Sequence, residues 1–168
     1  FMGTRGALNF ELSWTARDGG HHSGNWGGLL SNPGIVIANA IASIADQRGR
    51  VKVPALLPEH MPNSVRAALA GVEIHPSADE PTIDPDWGEP GFSPAEKVYG
   101  WNTFEVLAFH CCNPDNPVNA IPPSAIAYCQ VRYTVDRDPN SFIPALREHL
   151  DRNGFEQVDI KASRTSSP

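Results

Sequence analysis

Apolar and polar residues alternate from Ala7 to Thr15, with Leu8, Phe10, Leu12 and Trp14 on one side and Asn9, Glu11 and Ser13 on the other. A period of two predicts a half-buried strand. The period then lengthens. Ile37, Ile41 and Ile44, with the small Ala38, Ala40 and Ala45, form a helical stripe that can lie on a sheet. Asn32 suits the N-cap and Pro33 the first turn, so the pattern predicts a helix from there to about Arg48, ended by Gly49. Val51–Val53 reads as a short strand stopped by Pro54.

Regularity fails over about residues 54–100. Pro62 to Ala70 reads as a helix, but five prolines and several acids between 76 and 94 mark a surface excursion rather than core. Strand character returns at Thr103–Phe109 and, after the turn-rich Asn113–Pro123, over residues 125–135. A helix from about Asn140 to Arg152 follows, with Phe142, Leu146, His149 and Leu150 on one face and Pro144 able to delay its regular start. Asn153-Gly154 closes it. Phe155–Ile160 supplies a last strand, and Arg164–Pro168 reads as frayed. Two amphipathic helices between half-polar strands predict a two-layer α+β sandwich of ferredoxin-like topology: a four-stranded antiparallel sheet, both main helices on one face, the other face open. A dinucleotide-binding fold is disfavoured, because the glycines after the first strand lack its spacing.

At 168 residues and 40% hydrophobic content the chain suits one domain, 1–168, with its own core. The balance of 13 Lys and Arg against 19 Asp and Glu, a net charge of -6, offers no basic field for a nucleic acid. The most apolar helical segment, Ile35–Ala45, is too short and too polar for a membrane span. Three cysteines, two of them the adjacent Cys111 and Cys112, make a poor disulfide framework and lack the paired spacing of a zinc site. They point to a reducing compartment, with a cytoplasmic location expected.

The run Asp18-Gly19-Gly20-His21-His22-Ser23-Gly24-Asn25-Trp26-Gly27-Gly28 places two imidazoles in a glycine-rich loop with no thiolate or carboxylate set to complete a metal centre. It reads as half of a site. His22 can donate a hydrogen bond to a substrate oxygen, or simply be a satisfied loop histidine. His21 is the weaker candidate. Arg132 stands opposite Val131 and Tyr133, hence on the exposed face or in a cleft, where a guanidinium can clamp a carboxylate or merely be solvated. Asn119 lies at the mouth of the same strand and can bind a carbonyl or carboxylate. Asp115, Asp136 and Asp138 read as turn and cap residues rather than metal ligands. Ser23 lacks the elbow of a catalytic nucleophile.

Gly3-Thr4-Arg5-Gly6, His22-Ser23-Gly24 with Trp26-Gly27-Gly28 and Asn32-Pro33, Gly49-Arg50-Val51, Asn119-Ala120-Ile121-Pro122 and Arg132 occur in an order that resembles the lid or dimerisation domain of the M20 metallopeptidases. That group contains carboxypeptidase G2, succinyl-diaminopimelate desuccinylase, aminoacylases and carnosine dipeptidases. The resemblance implies a domain inserted into a zinc-binding catalytic domain that this sequence lacks, so zinc would belong to the parent and none to this chain. It implies a homodimer formed through a sheet edge or a helix, and a dipeptide or N-acyl amino acid as substrate. By the same resemblance His22 would stabilise the oxyanion in the partner's active site, Arg132 would hold the substrate carboxylate and Asn119 would assist. Arg5 and the glycines would shape the hinge and loop. The alternative is a stand-alone ferredoxin-like module that binds an amino acid or another protein.

Overall fold

The computed structural model describes residues 5–168; Gly3 and Thr4, which belong to the first stretch of the resemblance, lie outside the described residues. The chain runs β1 (Gly6–Thr15), β2 (His21–His22), α1 (Ser23–Trp26), α2 (Pro33–Ile44), α3 (Asn63–Leu69), α4 (Pro94–Tyr99), β3 (Thr103–His110), β4 (Ala120–Ile121), β5 (Ser124–Tyr133), α5 (Phe142–Arg152) and β6 (Asp159–Ser166). Four of the strands form one sheet in the order β3-β5-β1-β6, with every neighbouring pair antiparallel. α2 crosses from β1 to β3 and α5 from β5 to β6, which is the split βαβ arrangement expected of a ferredoxin-like sandwich.

The strands alternate as the sequence requires. Leu8, Phe10 and Leu12 of β1 and Ala125, Ala127, Cys129 and Val131 of β5 are buried on one face. Pro33, Ile37, Ala40 and Ile44 of α2, spaced three and four apart, and Phe142, Leu146 and Leu150 of α5 cover them. The two helices also touch through polar groups, His149 Nε2 lying 3.0 Å from Ser43 Oγ. Pro144 sits in the first turn of α5, where its missing N–H removes no intrahelical bond, and the helix starts at Phe142 without delay.

α2 ends at Ile44, four residues before the expected Arg48. The Asp46 carboxylate accepts from the N–H groups of Arg48 at 2.8 Å and Arg50 at 3.0 Å, so the side chain builds a turn that competes with a further helical turn. Those bonds hold the Asp46 carboxyl below its usual range. Gly49 lies inside this turn with φ +72°, and a Cβ there would meet the Trp87 ring at 2.6 Å. Val51 forms only a single bridge to Ala45 rather than a strand.

The last strand differs most from expectation. β6 spans Asp159–Ser166 instead of Phe155–Ile160, so the supposedly frayed tail is paired to β1. Phe155 and Val158 belong to the turn before it, with Val158 buried in the core. Backbone pairing holds the polar tail in the sheet, and Tyr133 Oη donates to the Ser166 carbonyl at 2.9 Å. The excursion is pinned at its base by Asn102, only 2% exposed, whose amide donates to Leu56 O at 2.7 Å and whose oxygen accepts from Thr134 N at 2.8 Å. It contains α3 and also α4, which the proline-rich pattern concealed and which a Ser93/Glu96 capping box starts.

Candidate functional site

The glycine-rich loop is not free. His21 and His22 pair with Ile121 and Ala120 in a two-stranded ribbon beside the main sheet. Ser23 ties the loop to Asn119 twice, its backbone N–H donating to Asn119 O at 2.9 Å and its hydroxyl at 3.1 Å. The sequence candidates His22 and Asn119 are thereby brought together. The Ser23 hydroxyl is engaged structurally rather than set beside a base.

His22 caps α1. Its Nδ1 accepts from Gly24 N at 3.1 Å, so in the neutral ring the proton sits on Nε2. The exposed end of the imidazole is therefore a donor, held in orientation by the backbone. The close fit requires glycine at position 24, where a Cβ would come within 2.9 Å of the ring. His21 turns aside to an edge-on contact with Trp26 at 6.0 Å between ring centres.

Arg132 is not part of that cluster. It lies on the open face of β5, opposite Ala7 on one side and Thr103 on the other. From Ser124, beside the ribbon, it is eight residues along the strand, roughly 27 Å at the usual rise. There it lines a hollow of about 230 Å³ with Ala7, Asn9, Gln130, Arg164 and Ser166. Gln130 Nε2 donates to Asn9 Oδ1 at 2.8 Å across the floor. Arg5 adjoins this end, donating to Trp101 O at 3.2 Å and Thr103 Oγ1 at 3.4 Å. Burial chiefly, and then the like charge of Arg132, depress its affinity for the proton, while Glu105 opposes them. Arg5 is thus a bracing residue between the start of β1 and the segment leading into β3. Asn9, Gln130 and Arg164 were not singled out from the sequence. The polar positions of β1 and β5 carried the signal for the first two, and Arg164 lay in the segment read as frayed.

A cavity of about 640 Å³ lies between the excursion and the turn after α2, and neither His22, Asn119 nor Arg132 lines it. Among the described residues no three His, Cys, Asp or Glu side chains are grouped to hold a metal. Asp138 caps the short turn Pro139–Ser141 by accepting from Asn140 N at 3.0 Å, and Asp136 accepts from the Thr134 hydroxyl. Cys111 and Cys112 are free thiols 3.9 Å apart, and Cys129 is a buried thiol in the core. No helix among the described residues is long and apolar enough to cross a membrane.

No protein-family profile matches the sequence, and no curated protein matches it. Solved structures do. An M20 family metallo-carboxypeptidase, Sso-CP2 from Sulfolobus solfataricus, superposes with a TM-score of 0.75 and 24% identity over 96% of this chain and 38% of its own. The di-peptidase Dug1p of Saccharomyces cerevisiae matches at 0.75 with 14% identity, over 99% of this chain and 37% of that one. Human carnosine dipeptidase 1 matches at 0.75 with 15% identity, over 98% and 37%. The chain spans little more than a third of the length of these proteins, and over that span it shares the fold of one metallo-carboxypeptidase and two dipeptidases.

Proposed function

We propose that this chain is the dimerisation and substrate-binding lid of a zinc-dependent M20-type amidohydrolase or peptidase that cleaves a dipeptide or N-acyl amino acid. The observation that carries the reading is the His22 ring, oriented by Gly24 with Nε2–H outward and stapled beside Asn119. Such a preset donor suits negative charge developing on the oxygen of a scissile carbonyl. The shared fold with a metallo-carboxypeptidase and two dipeptidases supports it. The described residues do not fit a zinc ion, so zinc and the general base would belong to a catalytic domain outside this sequence.

Within one copy His22 and Arg132 are too far apart to hold one small substrate. A complete site would therefore take His22 and Asn119 from one protomer and Arg132 from the other. The β3 edge is the natural place for two copies to meet. Val106, Leu107 and Phe109 are exposed there, Leu107 by 55%, on a strand whose outer backbone groups are unpaired within the sheet. The β6 edge is polar and irregular by contrast, with Lys161 and Arg164 and a bulge against β1.

The reading is tested first by sequencing the coding region on both sides of this segment, where metal-ligand residues are expected; tight start and stop codons would overturn it. In the full-length enzyme, His22→Ala is expected to lower kcat by about 10²–10³-fold. Mixing separately inactive His22→Ala and Arg132→Gln protomers should restore up to about a quarter of the activity, since half the dimers are mixed and one of their two sites is intact. No recovery on mixing, with exchange of protomers verified, would overturn the shared site.

A further inference from the structure

We propose that Arg132 and Arg164 together bind a small dicarboxylate on the open face, the two carboxylates of an aspartate or glutamate residue. This rests on the substrate-binding reading above and narrows it to substrates whose amino-acid end is acidic.

The first observation is a register change. In the half of β6 nearest Asp159, Ile160 pairs with Leu12 and Ala162 with Phe10, so even-numbered residues face the helices. Continued unbroken, that alternation would turn Arg164 into the helix layer. Instead the pairing slips between Asn9 and Phe10, leaving Ser163 as the extra residue, and Arg164 pairs with Asn9 on the open face. A bulge of this kind re-aims a side chain, and such bulges are common beside binding sites. Here it delivers Arg164 to the hollow that Arg132 already lines.

The second observation is charge. In a chain of net charge -6, Arg5, Arg132 and Arg164 gather at one end of one sheet face. The ion pairs among the described residues involve neither Arg132 nor Arg164. Arg5 is committed to Trp101 and Thr103, and Glu105 partly balances it. Two like charges sharing a hollow repel, and an anion with two negative groups relieves that repulsion while accepting charge-assisted hydrogen bonds from each fork.

Spacing selects the ligand. β1 lies between the two arginines, which separates their strands by roughly 9.6 Å, and their rows differ by two residues, roughly 6.7 Å along the sheet. Side chains converging from such positions suit two anionic groups several ångström apart better than a single carboxylate. The hollow of about 230 Å³ has room for the charged end of a substrate, and the Asn9 and Gln130 amides on its floor offer further polar contacts.

The test is amide and arginine Nε–H NMR titration of the purified chain at fixed ionic strength with N-acetyl-L-glutamate, its uncharged-side-chain counterpart N-acetyl-L-glutamine, and inorganic phosphate. N-acetyl-L-glutamate is expected to bind about tenfold more tightly than the glutamine derivative and to shift the signals of both Arg132 and Arg164. Arg164→Gln should erase that preference by weakening N-acetyl-L-glutamate much more than the glutamine derivative, and Arg132→Gln should weaken both ligands. Both substitutions lie on the open face, and circular dichroism verifies that each variant is folded. Equal affinity for the two derivatives, discrimination that survives Arg164→Gln, phosphate binding as tight as N-acetyl-L-glutamate, or no shift at tens of millimolar ligand each overturns the proposal. Failure of the peptidase reading shows separately, as flanking sequence without metal ligands while both arginines still bind the dicarboxylate.

Discussion

On one face of the sheet Phe10, Leu12, Ala127, Cys129 and Val131 lie sealed beneath α2 and α5; on the other, one residue away along the same strands, Asn9, Glu11, Gln130 and Arg132 remain partly exposed. Burial of apolar surface operates on the first face and is nearly absent from the second. The covered face therefore sets stability, and the open face is free to vary in chemistry without unfolding the domain.

The largest expected break in that comparison is Phe10→Ala, which removes a ring packed at 6.3 Å from Phe104 and should cost about 3–5 kcal/mol in denaturant unfolding. Next comes His149, on the helix layer. Burial, chiefly, lowers its proton affinity below the ordinary 6.5, with Lys52 and Arg152 adding and its bond to Ser43 opposing. The unfolded chain thus takes up the proton first, so stability is expected to fall as pH drops from about 6.5 through the lower folded value. His149→Gln should flatten that part of the stability profile, and a slope unchanged by it would place the cause elsewhere.

Thiols sharpen the contrast kinetically. Burial pushes the Cys129 thiol up to about 12, so it should resist a disulfide reagent in the folded protein while Cys112 reacts readily. Labelling of Cys129 at the rate of Cys112 would mean that the helix layer opens. Smallest of all, Gln130→Ala and Arg132→Gln on the open face should change stability by no more than about 0.5 kcal/mol. A larger loss from either would show that the open face also supports the fold.

The sequence revealed the parts of this molecule that repeat. β1 and β5 alternate cleanly, α2 and α5 carry buried residues at helical spacing, and caps at Asn32 and Asp138 appear where the residues predicted them. What it concealed has no period. β6 is an edge strand whose residues are almost all exposed, so no alternation marks it, and Phe155 and Val158 drew the expected strand toward the preceding turn. The β2–β4 ribbon is two residues long on each side, and its register depends on residues about a hundred positions apart. Of the candidate site, His22, Asn119 and Arg132 were legible as residue types. Their division into two clusters was not, because it depends on which end of β5 each occupies. Arg164 was hidden by a single inserted residue that reverses the facing of everything after it.

The pairing of β1 with β6 also fixes how this domain would respond to load. Ala7 and Ser166 are partners, so the chain passes through the sheet's margin twice at the same end, on adjacent antiparallel strands. Tension applied at those two points would peel the strands apart with the backbone hydrogen bonds yielding one after another, as a zip opens, instead of sharing the force. A fold whose stability rests on its helix-covered core would thus be mechanically soft along this one direction, with β6 the first element to leave.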